Sequence, residues 1–180
     1  MTEFKGKHIL IGVTGCIAAY KMCSLVSFLK KQGAEVRVVM TKSALNFVGE
    51  STFQALSNYP VLHDGKEESA YGMDHIHFAR WADVFLIAPC TANTVAKLAN
   101  GYADNLLTQL SLSCTVKQLI APAMNPEMYQ KPSVQRNLKQ LENDGYVLIP
   151  PESGLTACGE EGEGRLPEES VLVSVLKGVL

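Results

Sequence analysis

Residues 8–40, HILIGVTGCIAAYKMCSLVSFLKKQGAEVRVVM, decide the fold. Residues 8–13 form a short apolar run that reads as a buried strand. Thr14-Gly15-Cys16 makes the turn. From Ile17 to about Gln32 the apolar residues Ile17, Tyr20, Leu25, Phe28 and Leu29 recur at helical spacing, and Gly33 stands as the C-cap. Residues 36–40 are a second apolar strand. Strand, helix and strand in this order make a βαβ unit, whose crossover is right-handed.

Outward from that unit the alternation continues. Residues 44–57 read as helical or irregular, closed by Asn58-Tyr59-Pro60, and the polar residues 61–73 read as a surface loop. Asp74 is placed as the cap of a short helix over 75–81. Residues 84–88 are a third strand, ended by Pro89. Helices over 92–100 and 104–112 follow, separated by Gly101, and residues 116–120 are a fourth strand. Prolines 122 and 126 are expected to end it, because proline lacks the ladder donor. A helix over 132–144 with Gly145 at its end precedes a fifth strand at 146–149. A last helix spans 167–179, with Pro167 near its first turn. Near-continuous apolar strands separated by helices imply an α/β fold, a doubly wound parallel sheet of the Rossmann-like or flavodoxin-like kind with helices on both faces. One domain over residues 1–180 is expected. Residues 150–166 are rich in glycine and proline and have no periodicity; so long a connection reads as a flap.

Composition narrows the function. Apolar residues make up 47% and charged residues 19%, with a net charge of −2, so there is no electrostatic case for a nucleic acid or a membrane surface as partner. The amino terminus lacks a basic-then-apolar signal, and no apolar run approaches the ~20 residues that span a bilayer. Five cysteines with no C-x-x-C pair argue against a disulfide framework or a metal site and for a reducing cytoplasm.

Chemistry is expected at the carboxyl ends of the strands, which lie on one side of a doubly wound sheet. The loops there are Thr14-Gly15-Cys16, Thr41-Lys42-Ser43 and Pro89-Cys90-Thr91-Ala92-Asn93-Thr94. Backbone N–H groups at the helix starts, with the hydroxyls of Thr41, Ser43, Thr91 and Thr94, suit a phosphate. Gly12-x-x-Gly15 is not the G-x-G-x-x-G spacing, Lys21 does not follow a Walker glycine, and no acid ends the second strand for a ribose diol. A mononucleotide is favoured over a dinucleotide; ordinary turn and capping chemistry is the alternative for each loop alone.

Residues 121–129, APAMNPEMY, place Asn125 in a proline-braced loop. Its amide offers one acceptor and two donors, enough for a carboxylate or a flavin edge. His75 and His77 are two residues apart on a helix and point about 200° apart, so at most one serves a given centre. Cys158, in the flap, is a thiol that a moving loop delivers as an acid. Cys23 and Cys114 read as core, and His63 as a loop residue.

With Pro122-Ala-Met-Asn-Pro-Glu-Met128, Ala157-Cys-Gly159 and Gly162-Glu-Gly-Arg165, the chain resembles the homo-oligomeric flavin-containing cysteine decarboxylases. Gly15-Cys-Ile-Ala-Ala-Tyr-Lys21, His75 before Arg80-Trp-Ala-Asp83, and Ala88-Pro-Cys-Thr-Ala-Asn-Thr94 support the likeness along the whole chain. It departs from the common pattern at Cys16, Cys90 and Leu166. The resemblance implies bound FMN, its phosphate near Gly15, Cys16 and Ile17 and near Thr41, Lys42 and Ser43, with Thr91, Ala92, Asn93, Thr94 and Ala123 also on the cofactor. It implies His75 and Cys158 as catalytic residues and Asn125, Met128, Leu155 and Ala157 as substrate contacts. It further implies decarboxylation of 4′-phosphopantothenoylcysteine to 4′-phosphopantetheine in coenzyme A biosynthesis, through a thioaldehyde and an enethiol. Trimers or dodecamers with active sites between subunits are implied as well. The rival readings are a decarboxylase of peptide C-terminal cysteines in lantibiotic maturation and a non-catalytic flavin-binding regulatory subunit. The Cys158 flap argues against the peptide enzyme, which stops at the enethiol and needs no such acid.

Overall fold

The computed structural model describes residues 2–64 and 73–180. Six parallel strands, β1 (His8–Val13), β2 (Glu35–Met40), β3 (Leu62–His63), β4 (Val84–Cys90), β5 (Lys117–Pro122) and β6 (Val147–Leu148), form one sheet in the order β3-β2-β1-β4-β5-β6. This is the Rossmann order, and its topological switch point lies between β1 and β4.

Alternation along each strand builds two cores. Ile9, Ile11 and Val13 of β1 and Val84, Leu86 and Ala88 of β4 face a layer made by α1 (Lys21–Lys31), α2 (Glu50–Ser57) and α8 (Glu169–Val179). Leu10, Phe85 and Ile87 face the other layer, made by α3 (Asp74–Trp81), α4 (Ala92–Ala99), α5 (Leu106–Ser113) and α7 (Pro132–Asn143). Both faces are covered, which is why the strands carry apolar residues at successive positions.

Several expectations are corrected. The stretch expected as loop over 61–73 contains β3, which pairs with Val39 and Met40; at two residues it is too short to show a period. The remainder of that expected loop, 65–72, lies outside the described residues. Met73, not Asp74, occupies the N-cap position of α3. The helix expected from Ile17 opens as one 3-10 turn, Ile17–Tyr20, before α1. Pro89 does not end β4, which runs on to Cys90, whereas β5 does end at Pro122. Pro89, which follows a cis peptide bond, sits at a register shift in β4, where a missing donor is tolerated. Pro122 lies past the last residue of β5 paired to β6. Pro167 precedes the Glu168 N-cap of α8 instead of entering its first turn.

The largest correction is at 150–166. This stretch folds into an antiparallel hairpin, β7 (Glu152–Leu155) with β8 (Glu161–Arg165). Glycine depresses strand propensity, so the sequence hides it. Gly162 and Gly164 share one face by the two-residue period of a strand. A methyl on Gly162 would lie 2.8 Å from Pro126 Cβ, and one on Gly164 would collide with the Met124 carbonyl. The alternate glycines therefore let β8 lie flush on residues 124–126, held by Met124 N–H donating to Gly164 O at 2.9 Å.

Candidate active site

The switch point opens into a cavity of about 500 Å³, lined from five neighbouring strand ends. Gly15 and Cys16 follow β1; Thr41, Lys42 and Ser43 follow β2; Thr91, Ala92, Asn93 and Thr94 follow β4; Ala123, Met124 and Met128 follow β5. Thr14 ties the two central ends together. Its hydroxyl donates to Pro89 O at 2.7 Å and accepts from Thr91 N–H at 3.0 Å. Gly15 is needed because a Cβ there would stand 2.5 Å from Ser43 Cβ.

The hydroxyls differ in availability. Thr91 caps α4, accepting from Thr94 N–H at 3.3 Å and donating to Thr94 Oγ1 at 3.2 Å. Thr41 Oγ1 is buried without a hydrogen-bond partner, and a buried polar group in that condition calls for a ligand or water. Asp64, Lys97 and Asn105 also line this cavity and escaped the sequence reading. Asp64 follows β3, so it was lost with that strand; its carboxylate accepts from Leu106 N–H at 2.6 Å. Lys97 is paired with Asp104 at 2.5 Å.

A second cavity of about 440 Å³ adjoins the first, sharing Cys16, Ala123 and Met124. It lies between the 3-10 turn and the hairpin, and Ile17, Asn125, Leu155, Ala157 and Cys158 line it. Thus Ile17 borders the second cavity, and Met128 the first. Tyr20, Lys21, Thr156 and Arg165 were not foreseen as lining residues. Lys21 Nζ and Arg165 Nη2 converge on Glu168 Oε1 at 3.1 and 3.5 Å.

Asn125 has one orientation open to it. Its Oδ1 accepts from Glu127 N–H at 2.9 Å and Met128 N–H at 3.4 Å, capping the short helix Pro126–Tyr129. Only the amide donors remain for the cavity. They reach Cys158 Sγ at 3.5 Å and the Glu160 carboxylate. The sequence left Asn125 with both acceptor and donors; the cap removes the acceptor.

Cys158 is set apart from the other four thiols. Burial pushes the thiols of Cys16, Cys23 and Cys90 up and raises that of Cys114 to about 11. Cys158 is exposed, and hydrogen bonding to Thr156, then to Asn125, holds its thiol below the usual range. Thr156 Oγ1 is 3.0 Å from Cys158 Sγ and donates to Glu160 O at 2.9 Å.

His75 stands on the first turn of α3 and borders neither cavity; the exposed His77 packs edge-on to Phe78 at 5.0 Å between ring centroids. His63, expected in a surface loop, ends β3 and bonds Glu50 Oε2 at 2.9 Å. Among the described residues no helix is long and apolar enough to cross a membrane, and no group of three or more potential ligands could hold a metal ion.

Comparisons with known proteins agree with this geometry. The coenzyme A biosynthesis bifunctional protein CoaBC of Bacillus subtilis is 48% identical over 170 residues, which are 94% of this chain and 42% of that one. The chain therefore spans about two fifths of the length of that bifunctional relative. A probable phosphopantothenoylcysteine decarboxylase of Streptococcus mutans is 42% identical over 174 residues, covering 95% of this chain and 97% of that one. Among solved structures, the FMN binding protein AtHal3 superposes with a TM-score of 0.85 at 36% identity, over 96% of both chains. The family model described as Flavoprotein matches residues 1–180, and a chain so matched, with a strand-end cavity at its switch point, belongs to the Flavoprotein family.

Proposed function

We propose that this chain is an FMN-dependent decarboxylase that converts 4′-phosphopantothenoylcysteine to 4′-phosphopantetheine in coenzyme A biosynthesis. One observation carries the reading: the strand-end cavity and the Asn125–Cys158 cavity share the wall of Cys16, Ala123 and Met124. A cofactor in the first and a cysteinyl carboxylate in the second meet across those three residues. The likeness to a probable phosphopantothenoylcysteine decarboxylase of Streptococcus mutans and to the FMN binding protein AtHal3 favours the same substrate and cofactor.

The first cavity fits a flavin phosphate. Thr41, whose Oγ1 is buried without a partner, lines it, and Gly15 keeps the space beside Ser43 free of side chain. The turn at Gly15 and the Thr41-Lys42-Ser43 loop hold the phosphate; Thr91 to Thr94 and Ala123 flank the remainder. When bound, the flavin supplies a reversible two-electron acceptor, which lets the cysteinyl carbon lose CO2 without net redox change.

The chain's residues do the rest. The two Asn125 donors bind and orient the substrate carboxylate, where misplacement is costly in rate. Leu155 and Ala157 pack on the substrate and exclude water, while Met128 stands in the wall of the first cavity. Cys158 gives a proton at the substrate carbon that replaces the lost carboxylate, and His75 manages the proton of the substrate thiol. Because His75 borders neither cavity of its own chain, it acts in the site of a second copy. Homo-oligomers, trimers or dodecamers of them, follow, with exposed Ile17, Tyr20 and Leu155 at the subunit seam. The hairpin is the flap over the substrate, and the enzyme works in the cytoplasm.

A visible spectrum of the purified protein and the product mass after incubation with 4′-phosphopantothenoylcysteine test this. A bound yellow chromophore and a mass lower by one CO2 are expected. A colourless protein, or preference for a peptide ending in cysteine, defeats the reading. Cys158→Ser should consume substrate yet stall at an oxidised decarboxylated product, and His75→Asn should keep the chromophore and lose turnover.

A further inference from the structure

We infer that Glu160 is a built-in competitor of the substrate's carboxylate, a positioning residue that occupies Asn125 until substrate arrives and reclaims it once CO2 has left. The inference rests on the proposed decarboxylation and deepens it.

Three observations converge. The Asn125 acceptor is committed to the helix cap, so every ligand of this amide must accept a hydrogen bond. In the free chain the acceptor is already a carboxylate, that of Glu160, two residues past Cys158. The Glu160 backbone is tied to the same hairpin tip, its carbonyl accepting from Thr156 N–H at 2.8 Å and from Thr156 Oγ1 at 2.9 Å. The tip is thus latched to Asn125 by the functional group that the substrate brings.

Carboxylate exchange follows. A substrate carboxylate displaces the Glu160 carboxylate as acceptor of the Asn125 amide, one anion for one, so the charge at Asn125 is conserved. The departing CO2 takes that acceptor away. The product has no carboxylate, and Glu160 is the nearest anion to refill the site. Glu160 therefore lowers the affinity for substrate by its own occupancy, since apparent affinity scales with the competent fraction. It leaves the affinity for product untouched, because product and latch do not compete for the amide.

The flavin-loaded chain is titrated by calorimetry with two probes, 4′-phosphopantothenoylserine and 4′-phosphopantetheine. The serine analogue keeps the carboxylate and lacks the oxidisable sulfur. In Glu160→Ala the serine analogue should bind roughly fivefold tighter, the size expected from losing one solvated charge-assisted competitor, while 4′-phosphopantetheine is unchanged. Glu160→Gln, which keeps an acceptor and loses the charge, should fall between. Equal tightening of both probes, or weaker binding of the serine analogue, overturns the inference. Amide exchange over residues 152–165 without ligand gives an independent arm: it should quicken in Glu160→Ala and not in the exposed neighbour Glu161→Ala. Unchanged exchange overturns the latch. Failure of both probes to bind the wild-type chain, with exchange behaving as expected, overturns the substrate reading and leaves the latch standing.

Discussion

The two cavities meet at one wall and are held by different forces. The first is framed by the ends of five parallel strands, each anchored in a ladder, with Thr14 stitching β1 to β4 by two hydrogen bonds. The second has one wall of that kind and one made by a hairpin outside the main sheet. That hairpin is fastened through glycine contacts, one backbone bond at Met124 and the side chains of Asn125, Thr156 and Glu160. The first cavity, the cradle proposed for the cofactor, is built into the sheet. The hairpin wall is attached by a few exposed bonds, the low-stability end of the fold, which suits the admission of substrate in the proposed reaction.

The thiols repeat the contrast. Cys90, in the sheet beneath the first cavity, is fully buried and its thiol is pushed up. Cys158, on the hairpin, is exposed and its thiol is held down. The one exposed thiol stands on the hairpin, and the four shielded ones stand outside it.

Breaking one wall and not the other sharpens the comparison. Asn125→Asp should have the largest effect. It retains the acceptor that caps Pro126–Tyr129 and turns the donors into a second carboxylate facing Glu160, so kcat/KM should fall about a hundredfold or more with little change in Tm. A large fall in Tm with it would mean that Asn125 matters chiefly as a cap. Gly15→Ala should come next: its methyl meets Ser43, so flavin content after purification should drop about tenfold while the hairpin's amide exchange stays as in wild type. Gly164→Ala should do the converse. With the Met124 carbonyl in the way, the hairpin lifts, turnover falls about tenfold and flavin content is retained. If both glycine variants lose flavin alike, the two cavities are one cooperative unit.

The smallest effect belongs to Thr156→Val. Without that hydroxyl the Cys158 pKa should rise toward the ordinary thiol value. The proton-donating form is the thiol, whose fraction falls as pH rises through the pKa, so the alkaline limb of activity should move upward in the variant. Alkylation of Cys158 needs the thiolate, and at one mildly alkaline pH it should slow a few-fold. An unmoved alkylation midpoint would show that Thr156 does not tune the sulfur.

Much of the sheet was legible because a parallel strand buried on both faces writes an unbroken apolar run, as at His8–Val13 and Val84–Cys90. The loops after such runs could be named as site candidates from topology alone. β3 escaped because two residues carry no period, and Asp64 at its end escaped with it. The hairpin escaped because its docking face is glycine, which reads as loop chemistry until the carbonyl it must clear is in view.

Residue order alone determined the βαβ frame, the strand-end loops and the candidate pair of Asn125 and Cys158, because local period and turn chemistry act over a few neighbouring residues. Only the tertiary structure decided that Asn125 faces its cavity as a donor, that Glu160 lies on it, and that His75 borders neither cavity of its own chain. Those facts depend on contacts between segments distant in sequence, and the geometry of such a contact is set by packing, which no local pattern encodes.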